Sequence, residues 1–148
     1  MRAVIQRVSG AQVEVDGVPV ASIGKGILAL IGIGRNDSEE DVFTIAERLP
    51  RLRIFSDEQG KMNLDLLQVN GSLLLVPNFT LYGDARKGRR PNFMGSAGYE
   101  EGKWLFDLLV ERLGEQLPVA TGVYGASMQV KLTNDGPVTL LLDSDRIF

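Results

Sequence analysis

The stretch "LTNDGPVT", residues 132–139, sets the problem. A polar pair, Asn134-Asp135, is followed by Gly136-Pro137, and the chain then enters the apolar run "VTLLL". Asn, Asp, Gly and Pro each favour turns for separate backbone reasons, so one reading is a turn leading into a strand. A sharper one is that Gly-Pro sits there so that bare backbone can approach something else. Working outward, "VATGVYGASMQVKLTNDGPVTLLLD" reads as strand, turn, strand, turn, strand.

The remainder of the chain fits that β character. "RAVIQRV" and "AQVEVDG" read as two strands joined at Ser9-Gly10, an opening hairpin closed by the turn signal Asp16-Gly17. "GILALIGIG" is apolar at nearly every position, as a strand buried on both faces requires. In "SEEDVFTIAERLP" the period changes. Val42, Ile45, Ala46 and Leu49 fall at helical spacing, Ser38 with Asp41 resembles a capping box, and Pro50 ends the pattern. "RLRIF" reads as a strand and "SDEQGKMN" as a polar loop. "GSLLLVPNFTLYGD" is a strand interrupted by Pro77, which donates no ladder hydrogen bond and so marks a strand end, edge or bulge. A second helix over residues 98–116 carries Leu105, Leu108, Leu109 and Leu113 on one stripe, with Trp104 beside it. The expected class is α+β, one domain over residues 1–148, with mixed or antiparallel barrel-like β layers and two main helices packed on sheet.

Composition limits the chemistry. With 148 residues, 44% hydrophobic and 24% charged, the chain can bury its own core and carries no sign of disorder. No apolar run is long enough to span a bilayer, and "MRAVIQRV" is not a signal peptide, so a cytoplasmic protein without membrane contact is expected. The sequence holds neither Cys nor His. That excludes thiol nucleophiles, Cys-zinc sites and a Ser-His-Asp triad. The carboxylates show no metal-binding spacing, and no metal or cofactor is expected. "GIGRND" and "GKG" are incomplete as nucleotide-binding loops. The net charge of −3 argues against a broad basic face, yet "ARKGRRP" packs Arg86, Lys87, Arg89 and Arg90 into five positions. That run is either a solvated loop or a phosphate-binding patch.

Four ordered stretches, "MRAVIQRVSGAQVEVDG", "RIFSDEQGKMN", "FTLYGDARKGRRPNF" and "YGASMQVKLTNDGPVT", resemble the bacterial and eukaryotic D-aminoacyl-tRNA deacylases almost from one end of the chain to the other. The resemblance implies a homodimer that hydrolyses the ester between a D-amino acid, or glycine mischarged on tRNA-Ala, and the 3′-terminal adenosine at the acceptor end of tRNA. It also implies that Gly136-Pro137 is cis and reaches in trans into the partner's site. There its carbonyls would exclude an L side chain, which suits rejection of L-aminoacyl-tRNA. The other half of the site falls on Asn78, Phe79 and Thr80, in a segment that usually reads Ser-Gln-Phe-Thr-Leu, with main-chain N–H groups acting as an oxyanion hole. Phe79 and Thr80 match that pattern, whereas Pro77 and Asn78 depart from it.

Thr80 has no His to activate it and is better read as something other than the nucleophile, the alternative being an ordinary β-branched strand residue. The ribose 2′-hydroxyl beside the ester can help to activate water instead. By their nearness in sequence to that site Arg86, Lys87, Arg89 and Arg90 are assigned to tRNA phosphates, and Arg7 and Met128, which fall in matching stretches, either brace the Gly-Pro loop or are a strand-face charge and a core Met. Three alternatives stay open at this point: a tRNA-binding homologue silenced by Pro77 and Asn78, a deacylase of altered specificity, and an unrelated hydrolase on a similar scaffold.

Overall fold

The computed structural model describes residues 1–147. Its first strand, β1 (Arg2–Val15), turns through Asp16-Gly17 into β2 (Val18–Ile23). Val15 pairs with Val18 across a two-residue loop whose φ values are 51° and 76°, as a tight hairpin turn requires. Strand β3 (Gly26–Gly32) lies antiparallel to the first half of β1. Helix α1 (Glu39–Arg48) then crosses over to β6 (Ser72–Pro77), and helix α2 (Tyr99–Gly114) crosses to β7 (Val119–Thr121). Both β3–β6 and β6–β7 are parallel pairs. Parallel neighbours need long connections, and the two helices supply them. Between α1 and β6 lie a single 3-10 turn, Leu49–Arg51, and a small antiparallel pair, β4 (Phe55–Ser56) with β5 (Met62–Leu64). The last strand, β8 (Gln129–Asp143), runs antiparallel along the other edge of β1. Strand order β2-β1-β3-β6-β7, with β2 packed back toward β6 and β7, makes a nearly closed, barrel-like mixed sheet.

Period-2 alternation divides the interior. Ile27, Ala29 and Ile31 of β3 and Leu73 and Leu75 of β6 face the helices, meeting Ile45, Leu105, Leu109 and Leu113. Their neighbours Leu28, Leu74 and Val76 face the inside of the curved sheet. Strand β1 changes face partway along. Ala3 and Ile5 belong to the helix side, while Val8, Ala11 and Val13 belong to the inside. Its register against β8 shifts between Gln6 and Gly10.

Three expectations are thereby corrected. Ser9-Gly10 does not join two strands but is a bulge within one, where an extra residue reverses which face the side chains take. "RLRIF" is strand only from Phe55, because the 3-10 turn at Leu49–Arg51 takes up its beginning. "SDEQGKMN" is not wholly loop, since Ser56 pairs with Met62, with the Asp57 carboxylate accepting from the Gln59 and Lys61 N–H groups between them. Helix α1 starts as the sequence indicated. The Asp41 carboxylate accepts from the Ser38 N–H at 2.8 Å and from its hydroxyl at 3.1 Å.

Leu75 is fully buried between sheet and helices. Its replacement by Ala should cost about 2–5 kcal/mol, read as a lowered urea midpoint at unchanged slope. Val18→Ala, at a position 61% exposed, should stay within about 0.5 kcal/mol.

Candidate functional site

Parallel strands leave their carboxyl ends at one rim of a sheet, where crevices form. Here β6 stops at Pro77, opposite Ile31 of β3, and the Asn78 N–H closes the ladder onto the Ile31 carbonyl at 2.7 Å. The chain then makes a 3-10 turn, Phe79–Tyr82. Two glycines of the neighbouring segment seat it. A Cβ on Gly32 would meet Leu81 at 2.9 Å and the Asn78 carbonyl at 3.3 Å, and one on Gly34 would meet the Tyr82 hydroxyl at 2.7 Å. Only a residue without a side chain lets the turn approach this closely.

Beside the turn opens a cavity of about 710 Å³. Leu30, Val76, Met128 and Val130 form its apolar floor, and Phe79, Phe93, Tyr99 and Tyr124 form its aromatic walls. Phe79 and Phe93 meet edge to face at 5.1 Å, and Tyr99 and Tyr124 do so at 5.5 Å. Such pairs fix ring orientation as well as filling space. Asn78, Ser96 and Ser127 supply polar side chains, while Asp, Glu, Lys and Arg do not occur among the lining residues. Burial first, then the neighbouring Tyr99, pushes the Tyr124 phenol up, so it stays neutral. The site therefore offers shape, dipoles and N–H donors rather than an acid–base pair. Among the described residues, no three His, Cys, Asp or Glu side chains come close enough to hold a metal ion.

The three residues expected at the catalytic turn lie together. Asn78 caps it. Its Oδ1 accepts from the Thr80 N–H at 3.2 Å and from the Thr80 hydroxyl at 2.5 Å. Because an N–H can only donate, the carboxamide oxygen must face Thr80, and Nδ2 points away. Thr80 is thus in an exposed turn and not in a strand, which sets aside the strand reading of that residue. Its hydroxyl proton is committed to an amide and no base approaches it. Phe79 occupies the first turn position, where an N–H has no carbonyl of its own turn to bond.

The remaining expected residues are elsewhere. Gly136-Pro137 is cis, exposed, and absent from the cavity lining of its own chain. The opening stretch is not a turn between two strands. Asn134 pairs with Val8 and Thr139 with Gln6, so residues 135–138 bulge out of one long strand. The Asn134 side chain closes the bulge, donating to the Val138 carbonyl at 2.9 Å and accepting from the Val138 N–H at 3.1 Å. Arg7 braces it by donating to the Asp135 carbonyl at 2.8 Å and to the Ile54 carbonyl. Met128 instead lines the cavity and accepts from the Val123 N–H at 3.3 Å. Lys87, Arg89 and Arg90 are exposed with no ion pair among the described residues, while Arg86 forms a two-point bridge to Asp84 at 2.9 and 2.7 Å. Sequence reasoning missed Phe93, Tyr99 and Tyr124. Phe93 and Tyr124 stood within recognised stretches, but aromatic walls have no spacing that marks them out.

Comparison with known proteins puts this arrangement in context. The model of the D-Tyr-tRNA(Tyr) deacylase family matches residues 4–143. D-aminoacyl-tRNA deacylase of Thermosipho africanus is 55% identical over all of both chains. A solved structure, the c-Myc DNA unwinding element binding protein, superposes with a TM-score of 0.92 at 34% identity, covering 97% of this chain and 98% of that one. Another, described as a "probable eukaryotic D-amino acid tRNA deacylase", has the same fold at 18% identity, with a TM-score of 0.77 and coverage of 95% and 97%.

The hydroxyl of Thr80 holds the turn through Asn78. Thr80→Val should therefore lower stability by about 1 kcal/mol in thermal unfolding, with Thr80→Ser restoring it.

Proposed function

The chain belongs to the D-Tyr-tRNA(Tyr) deacylase family and is a hydrolase of the D-aminoacyl-tRNA ester, and we propose that two copies complete each active site. The observation that carries this reading is the cavity beside Asn78-Phe79-Thr80, which has N–H donors and aromatic walls but no ionisable base. Water attacks the ester carbonyl, the negative charge gathers on its oxygen, and the tetrahedral adduct collapses to release the 3′-hydroxyl of the terminal adenosine and a free amino acid. The Phe79 N–H faces the developing oxyanion, while that of Thr80 stays bonded to the Asn78 cap; such a donor is worth on the order of 10²–10³ in rate where one has been removed. The substrate's own 2′-hydroxyl assists the water, and Thr80 is a turn-holding residue rather than a nucleophile.

A partner's Gly136-Pro137 loop closes the cavity and rejects L-aminoacyl esters by crowding the Cα substituent, while glycine passes. Two features support a second copy. The loop is exposed and does not line its own cavity, and among the described residues β8 pairs on one edge only, with Leu141 52% exposed. Arg7 acts as the positioning residue for the loop. Lys87, Arg89 and Arg90, with Arg86, meet tRNA phosphates near the acceptor end. The described residues form no helix long and apolar enough to cross a membrane, and the proposed place of work is the cytoplasm, where charged tRNA is found.

Hydrolysis of D-tyrosyl- and L-tyrosyl-tRNA, measured side by side, should consume the D ester and spare the L ester. The D ester on tRNA ending in 2′-deoxyadenosine should be slow. Thr80→Val should keep turnover within about tenfold of wild type, whereas a nucleophile would lose several orders of magnitude. Arg7→Ala should raise hydrolysis of the L ester relative to the D ester. Binding of both esters with hydrolysis of neither would show that Pro77 and Asn78 have silenced the site.

A further inference from the structure

On the far side of the catalytic turn lies a second, open cleft of about 590 Å³ that the mechanism above does not use. Arg2 of β1 forms one wall. Its Nε donates to Asp143 at 3.1 Å, its Nη1 donates to the Leu81 carbonyl at 3.2 Å, and its guanidinium lies 4.4 Å from the centre of the Tyr82 ring. Asp143 is only 2% exposed, so Arg2 is fixed from behind and below. A guanidinium held flat in this way loses little rotamer freedom on meeting an anion.

Arg86 forms the facing wall, its side chain 88% exposed, forked onto Asp84. The Arg86 guanidinium holds that carboxyl well below the usual carboxylate range, so Asp84 is an anion throughout the working pH range. A carboxylate presents the same pair of oxygens to an arginine fork as a phosphate does. Asn92 pairs with Asp84 through both backbone groups, at 2.8 and 3.0 Å. Its Oδ1 accepts from the Met94 N–H at 3.2 Å, which turns its Nδ2 outward as a further donor. Tyr82 ends the same 3-10 turn that Phe79 begins. At a rise of about 2.0 Å per residue, Tyr82 lies roughly 6 Å along the turn from Phe79. That is the scale of a single nucleotide step along an extended strand.

We propose that this cleft binds one backbone phosphate of the tRNA acceptor strand, which takes the place of Asp84 on Arg86 while Arg2 and Asn92 hold its other oxygens. The inference rests on the deacylase reading of the neighbouring site. Asp84 keeps Arg86 in position until RNA arrives, and the bound phosphate sets the register of the 3′ end against Phe79 through the Arg2–Leu81 contact.

The test is binding of uncharged tRNA, and of an acceptor-stem microhelix with single phosphates replaced by neutral methylphosphonates, to the full chain across a salt series. Arg86→Gln should weaken binding about tenfold and reduce the salt slope by about 1. Asp84→Asn should tighten binding several-fold, and Asp107→Asn, on the outer face of α2, should not. One methylphosphonate near the 3′ end should weaken wild type but leave Arg86→Gln unchanged. The proposal is overturned if every methylphosphonate affects Arg86→Gln as it affects wild type, or if Asp84→Asn binds as wild type does. Turnover of D-tyrosyl-tRNA by wild type separates the two readings: hydrolysis without this coupling removes the phosphate cleft alone, and no hydrolysis removes the deacylase site.

Discussion

Hydrogen bonding of β1 on both edges is the constraint from which the rest of the structure follows. One edge carries β8 along nearly its whole length, and the other carries β3 and then β2. A strand shared by three partners must curve, and the bulge near Ser9-Gly10 lets it curve while keeping apolar side chains inward on both halves. Because β1 holds β3 in register, it also fixes where β6 ends. Pro77 stands opposite Ile31, and the 3-10 turn of the candidate site, Phe79–Tyr82, begins two residues later. The same strand contributes Arg7 to the Gly-Pro bulge and Arg2 to the back of the turn.

Legibility followed the range of the interaction. Helix α1 was readable because its capping residues and apolar stripe are local, and Pro77 was readable as a strand end because a missing N–H is a property of one residue. The Ser9-Gly10 bulge and the bulge at residues 135–138 were misread as turns between strands. Gly, Asn and Asp announce irregular backbone, but whether the chain reverses or continues depends on the partner strand, which lies 126 residues away for Val8 and Asn134. Asn78, Phe79 and Thr80 came from resemblance, not from spacing. Their shared geometry rests on the capped turn and on Gly32 and Gly34 beneath it, which no local pattern expresses.

A chain without His or Cys still finds a route to ester hydrolysis if the substrate contributes a hydroxyl and the protein contributes rigid dipoles. The cavity matches that division. Its walls are aromatic pairs locked edge to face, its polar atoms are amides, hydroxyls and main-chain groups, and its two tyrosines have no carboxylate beside them in the lining. Preorganised donors need no proton movement of their own, so the arrangement demands accuracy of placement above all.

The seating of the turn on Gly32 and Gly34 carries an evolutionary consequence. Where the working atoms belong to the main chain, selection acts on backbone path rather than on side-chain identity, and positions 77 and 78 are free to drift so long as the path survives. At these positions a proline ends the strand where the ladder ends, and an amide turns inward to cap. The two glycines, on which the turn is seated, are then the residues least free to change. In a lineage of such enzymes, the invariant letters would mark where the active site is supported, and the variable ones would lie within it.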